Sequence, residues 1–491
     1  MNNKWFDDAL LVARDPSWQK FEDVSTKENA INSIRKYFEE YVVGYKVTDF
    51  LLCVYEQLSM IPSDVFEWQG KKYLLKEYRG ESVDFSWMEP EYKTWAEYGL
   101  DPVNICLDVM KENGVRPWLT FRMNDAHYRM DNSEAPHIWE KYKFYYKSDF
   151  YYEELEAGHI IGLDYGRYME RCYNFAYPRI REKFVAYIEE LLGKYDVFGI
   201  DLDFLREIYC LDYKNDPECG KYMTDFIEKV RAVVKKAKNK LGHDVKLMLR
   251  VPRSPEECLG FGFDVISWCK NGLVDAVSPS ARWECVDSGI PVREWRELLG
   301  NDTALFLGIE TLNLKFTQTT VDQVKGYAAA AFAQGSDGTY LYNYHNKTDR
   351  DKKAWSLRKA DCLAGKREFT VTFQDISSGK VPKYKPLPMS VDDCGKIDLE
   401  IGNVNSDDKV SLKIDFEGSE PPVLSVCNLS SIKAVPANKI IVRSEDGLSD
   451  VEMTSHGSYE YILDGLETQG SVLLAFEGQG IIHYMSFIIE N

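Results

Sequence analysis

Short apolar runs alternate with longer amphipathic or polar segments from residue 1 to about 365. That rhythm is the signature of repeated βα units around a parallel sheet. Eight runs read as strands: Ala9–Ala13, Phe50–Val54, Pro117–Phe121, Val197–Asp203, Val245–Val251, Val274–Ser278, Ala304–Ile309 and Thr339–Asn343. Eight is the number that closes a (β/α)8 barrel, the TIM fold. Between them, apolar residues recurring every three or four positions predict helices over 27–42, 178–194 and 221–241. Two connections, about 57–96 and 124–177, exceed the usual few residues, and both follow a strand. In a barrel such insertions build the mouth of the site.

Past Gly365 the pattern changes to short alternating segments: Glu368–Phe373, Val410–Phe416, Ile440–Arg443, Tyr459–Leu463 and Ser471–Phe476. These predict a C-terminal antiparallel β-sandwich over 366–491, joined to a barrel over 1–365. The stretch from Pro382 to Pro388 is a loop within it.

Composition narrows the function. A length of 491 residues, 44% of them hydrophobic, suits a large catalytic domain with a smaller companion. Neither the start, Met1–Asp8, nor any later stretch offers the roughly 18 apolar residues that cross a bilayer, so no membrane partner is expected. Eleven scattered cysteines without a Cys-x-x-Cys spacing fit reduced thiols and a cytoplasmic location. Seven histidines, none spaced as His-Glu-x-x-His, give a zinc site little support, and no cofactor is expected. A net charge of −19 argues against nucleic acid, whose backbone demands clustered Lys and Arg. A small carbohydrate or glycoside is an easier ligand, and a homo-oligomer is compatible with the sequence.

Barrel enzymes carry their chemistry at the carboxyl ends of the strands. In the fourth run, period two sends Asp201 and Asp203 to one face, the barrel interior. Stacked buried carboxylates are costly unless protonated, paired or used, so each is either a structural ion pair with an arginine or a catalytic acid, the arginine reading leading for Asp201 and the catalytic one for Asp203. The seventh run ends at Glu310, and Arg282-Trp283-Glu284 follows the sixth; Glu310 and Glu284 compete as the second catalytic carboxyl. Arg122, Asn124, Asp125, His127, Arg206, Arg250, Trp283 and Asn343 supply guanidinium, amide, carboxylate and aromatic groups that suit sugar hydroxyls and sugar faces. The second insertion is dense in aromatics, including His127, Tyr128, Trp139, Phe150, Tyr151 and Tyr152, which would serve either sugar stacking or a packed subdomain. No strand-end lysine for a Schiff base, no Gly-x-Ser-x-Gly elbow and no Gly-x-x-x-x-Gly-Lys loop occurs. Carboxylate-driven hydrolysis is the chemistry left.

At Arg122-Met123-Asn124-Asp125, Phe198–Arg206 and Leu341-Tyr342-Asn343-Tyr344 the chain resembles a group of bacterial barrel proteins described as glycoside hydrolases. The fourth strand is also similar to the chitinase signature, although Leu205 stands where that family keeps its acid. It looks like the fourth strand of retaining α-galactosidase-like enzymes too, which implies Asp203 as nucleophile and an acid on the sixth strand. Likeness to the retaining clan with carboxylates on strands four and seven implies instead Asp203 as acid/base and Glu310 as nucleophile. The resulting expectation is an exo-acting intracellular glycosidase for oligosaccharides or plant-derived glycosides. A non-catalytic carbohydrate-binding barrel, or a metal-assisted lyase or isomerase using Asp201, Asp203 and Glu310, are the alternatives.

Overall fold

The computed structural model describes residues 4–15, 21–125, 147–161, 172–281, 289–310, 321–342, 357–370, 387–427, 429, 431–439, 441–443, 450–452 and 457–491. Eight strands, β1 (Ala9–Arg14), β2 (Asp49–Tyr55), β3 (Arg116–Arg122), β4 (Gly199–Asp203), β5 (Lys246–Val251), β6 (Ala276–Pro279), β7 (Ala304–Glu310) and β8 (Gly338–Tyr342), form a closed parallel barrel. Each contains or overlaps one of the eight apolar runs. Strands of this kind are buried on both faces, which is why they read as continuous apolar text rather than alternation.

The chain divides into two compact units, Val12–Ser278, and Met1–Leu11 with Pro279–Asn491. In the first unit, α1 (Lys27–Val42), α2 (Pro102–Glu112), α3 (Asp149–Glu156), α4 (Pro178–Lys194) and α5 (Gly220–Leu241) lie between strands. Their starts follow local chemistry. The Thr26 hydroxyl accepts from Asn29 N at 3.2 Å to cap α1, Asp101 caps α2, and Pro178 opens α4, where its missing N–H has no helical partner to lose. The first insertion holds a short 3-10 helix, Gln69–Leu74, and a two-residue-per-strand hairpin, Glu77–Tyr78 with Glu81–Ser82. Gly199 opens β4 because a Cβ there would lie 2.2 Å from the Trp118 ring.

In the second unit α6 (Val321–Ala333) follows β7. The C-terminal strands are β9 (Arg367–Thr370), β10 (Lys396–Val404), β11 (Lys409–Glu417), β12 (Val423–Val426), β13 (Lys433–Pro436), β14 (Ile441–Arg443), β15 (Asp450–Glu452), β16 (Gly457–Ile462), β17 (Thr468–Glu477) and β18 (Ile481–Glu490). They form antiparallel sheets in the order β9-β18-β11-β16-β13 and β10-β17-β12, with β14 and β15 paired apart. Along the second half of β17 buried residues alternate with more exposed ones, as a sheet with one covered face requires. Helix α6 packs on β9 and β10; Gln323 Nε2 donates to the Tyr484 hydroxyl at 3.0 Å, and Gly326 lets the backbone of Glu368 come close. Barrel helix and sandwich therefore share one compact unit. Among the described residues no helix is long and apolar enough to cross a membrane.

Candidate active site at the carboxyl end of the barrel

Register aligns the candidate residues. Arg122 of β3 pairs in register with Asp203 of β4, and Asp203 with Arg250 of β5. Tyr55 of β2 pairs with Phe121 of β3, so Glu56, the next residue, comes level with Arg122. Three neighbouring strands thus present guanidinium, acid, guanidinium along one layer, with Glu56 just past the end of β2.

Asp203 is fully buried. Its Oδ1 accepts from Arg250 Nη1 at 2.9 Å and from the backbone N–H of Leu205 at 2.9 Å, whereas Oδ2 has no hydrogen-bond partner among the described residues. One oxygen is therefore oriented by two donors, and the other is uncommitted among the described residues. Asp201, one layer deeper and equally buried, accepts from the Thr120 hydroxyl at 2.7 Å.

Around Arg122 three carboxyl groups converge. Its guanidinium pairs with Asp15 beyond β1, with Glu56 beyond β2, and with Asp125 at 3.2 Å, while Arg206 Nε lies 3.7 Å from Asp125. Arg14 acts on Asp15 as well. Burial pushes the Glu56 carboxyl up to about 8, with Asp15 and Asp125 adding to the rise and Arg122 and Arg206 opposing it. Asp15, Cys53 and Glu56 also bring ligand-type atoms within 4.8 Å of one another. Arg122, ion-paired to both carboxylates, already supplies the positive charge there.

The backbone that carries Glu56 is sharply bent. Glu56 N donates to Leu58 O at 3.1 Å and Met60 N to Val54 O at 3.0 Å, and Gln57 sits between them with φ of 66°. A non-glycine residue in that region stores roughly 1–3 kcal/mol of strain, which packing must hold in place. Gln57 is buried, and its Oε1 accepts from Lys147 Nζ at 2.7 Å. Asn124 joins two loops nearby: Nδ2 donates to the carbonyls of Tyr173 (3.2 Å) and Tyr209 (3.0 Å), and Oδ1 accepts from Tyr173 N at 2.9 Å. Both ends of its amide are spent on backbone.

Of the residues singled out from sequence, Arg122, Asp125, Asp203, Arg206 and Arg250 lie in these two linked clusters, with Asp201 beneath and Asn124 alongside. Glu310 ends β7, and its side chain lies outside the described residues, as do His127, Trp283, Glu284 and Asn343 entirely. In the aromatic insertion the described members pack inward. Phe150 meets Phe66 at 5.9 Å between ring centroids, and Tyr151, buried, meets Tyr173 at 5.7 Å. Glu56 and Asp15 were missed by sequence reasoning. Both stand just past the end of an apolar run, so the strand-end rule applied to the first two runs would have found them.

Fold and site together define a (β/α)8-barrel protein with an acid–guanidinium layer at the carboxyl ends of its strands. No protein-family model matches the chain, and no curated protein matches it. Similar solved structures include α-L-fucosidase isoenzyme 2 from Paenibacillus thiaminolyticus, at 11% identity and a TM-score of 0.42 over 72% of this chain and 48% of that one. The α-amylase from Geobacillus thermoleovorans is 10% identical with a TM-score of 0.40, covering 96% of this chain and 99% of its own. A GH18 chitinase from Chromobacterium violaceum is 10% identical with a TM-score of 0.38, covering 98% and 90%. The chain spans about half the length of the fucosidase.

Proposed function

We propose that the protein is a glycoside hydrolase in which Asp203 is the central carboxylate. The observation that carries this reading is the division of labour within that one side chain. Arg250 and the Leu205 N–H hold Oδ1, and Oδ2 is buried without a partner among the described residues. Cleavage through an oxocarbenium-like transition state needs such a carboxylate, rigidly placed and with one oxygen available to the anomeric carbon. Arg122, Asp125 and Arg206 supply the charged hydrogen-bonding groups suited to sugar hydroxyls. An exo-acting enzyme for oligosaccharides or plant-derived glycosides is the form we favour. An intracellular setting is supported by the cysteines, since the ten described ones are all free thiols and eight of them are buried. Glu310 and Glu284 enter as the partner acids suggested by sequence.

The test is hydrolysis of a panel of 4-nitrophenyl glycosides by wild type, Asp203→Asn, Glu310→Gln and Glu284→Gln. Asp203→Asn is expected to lose about 10³-fold or more in kcat with an unchanged circular dichroism spectrum. Undiminished turnover in that variant would remove Asp203 from the mechanism. Binding of sugars without turnover by the wild type would instead make the protein a carbohydrate-binding barrel.

A further inference from the structure

We propose that Lys147 is a positioning residue of this site: through Gln57 it holds the strained turn from which Glu56 reaches Arg122, and so fixes the Arg122 guanidinium for a sugar hydroxyl. The proposal rests on the hydrolase reading, in which Arg122 is a group that meets the substrate. It adds a residue that touches neither the sugar nor Arg122.

The links are direct contacts. Glu56 is ion-paired to Arg122, and Arg122 lies in register with Asp203 on the next strand. Gln57 follows Glu56 along the chain, fully buried, with φ of 66°. Glycine occupies that region freely, whereas a residue with a Cβ is strained there and stays only where its surroundings impose it. One side of the turn is held by backbone: Ser59 N donates to Glu67 O at 3.0 Å and Gln69 N to Ser59 O at 2.9 Å. The side chain of Gln57 is held by Lys147, whose Nζ donates to Oε1 at 2.7 Å. Both partners are buried, and a hydrogen bond from a charged donor is comparable in size with the strain of the turn.

Lys147 is itself fixed. Its carbonyl accepts from the buried Lys72 Nζ at 2.7 Å, its ammonium lies 4.3 Å from the centroid of the Tyr151 ring, and Asp149 N donates to Glu67 Oε2 at 3.1 Å. Glu67 and Lys72 belong to the first insertion, and Lys147, Asp149 and Tyr151 to the second. The two insertions are therefore joined to each other and, through one lysine, to the turn past β2. Without the Lys147 bond Gln57 relaxes towards negative φ, which rotates the peptide unit between Glu56 and Gln57 and draws the Glu56 carboxyl off Arg122. A misplacement of about 1 Å in such a group costs on the order of 10²-fold in rate.

The experiment measures kcat/KM per folded molecule on a 4-nitrophenyl glycoside that the wild type cleaves, together with thermal melts. Lys147→Met is expected to lose about 10- to 100-fold. Gln57→Ala and Gln57→Gly remove the same acceptor, and only alanine keeps the strain. Gln57→Ala should fall about as far as Lys147→Met, whereas Gln57→Gly should stay within about threefold of wild type, and in the Lys147→Met background it should restore roughly tenfold. If Lys147→Met does not fold, the contrast between alanine and glycine at position 57 decides alone. Melts that fall with kcat/KM unchanged, or equal kcat/KM for the alanine and glycine variants, overturn the positioning role; an inactive Asp203→Asn beside them leaves the hydrolase reading standing. A wild type inert towards every glycoside overturns both.

Discussion

Asp49 and Asp203 are both fully buried barrel aspartates, and their hydrogen-bond partners differ. Asp49, at the start of β2, has both oxygens filled: Arg116 Nε donates at 2.7 Å, Trp118 Nε1 at 2.8 Å and the Thr48 hydroxyl at 2.6 Å. Asp203, at the other end of its strand, keeps an oxygen free of such partners among the described residues. Replacing Asp49 with Ala strips a half-buried arginine and a buried indole of their acceptor, and is expected to lower stability by about 3 kcal/mol. Urea unfolding measures that, and kcat/KM per folded molecule should not change. An Asp49 variant of normal stability and lost activity would place this residue in the chemistry instead. Asp203 was legible in the sequence because period two and the end of an apolar run identify an inward-facing rim carboxylate. Glu56, two residues past the second run, was open to the same rule, but its raised carboxyl was not legible, because burial first and then Asp15 and Asp125 raise it, and only the fold brings these together.

At the scale of elements, β4 has to bring Asp203 to its place, and its first residue governs how closely it lies against β3. Gly199→Ala would put a methyl group 2.2 Å from the Trp118 ring. The ring is buried among packed neighbours, so the variant is expected to lose about 1–3 kcal/mol. A drop in kcat/KM should accompany the loss, because Asp203 is four residues along the same short strand. A thermal melt and an aryl-glycoside assay check the two arms, and an unchanged melt would show that the ring moves aside freely. Helices α1 and α4 begin and end where the sequence predicts, because Thr26 and Pro178 are local start signals. Strand β18 escaped prediction for the opposite reason. Paired on both sides with β9 and β11, it is almost continuously buried and lacks the alternation that marks a strand with one wet face.

For the molecule as a whole, buried carboxyl groups make stability depend on pH. Burial pushes Glu91, in the first insertion, up to about 8, against the opposing hydrogen bonds from the Trp68 indole and the Gly70 backbone, and Glu56 is raised likewise. A carboxyl raised in the folded state contributes stability that is fully present below its unfolded value of roughly 4.3 and is lost as pH rises through the folded value. The protein is therefore expected to lose stability between about pH 4.5 and pH 8 through these two groups. Glu91→Gln keeps the acceptor for Trp68 and removes one of them. Its urea midpoint should exceed that of the wild type at pH 8 and converge with it towards pH 5; a pH-independent difference would assign the effect to packing.

The order of elements follows from sequence alone: eight apolar runs with amphipathic helices between them, then an alternating tail, because burial on two faces or one leaves a periodic trace in neighbouring residues. That trace also pointed to Asp203. Only the tertiary structure decided which groups share a charge. Register across β3, β4 and β5 brings Arg122, Asp203 and Arg250 level, and burial, with Asp15 and Asp125 adding to it, raises the Glu56 carboxyl. Electrostatic coupling depends on distance through space, and residues 15, 56, 125 and 206 acquire it only when the barrel closes.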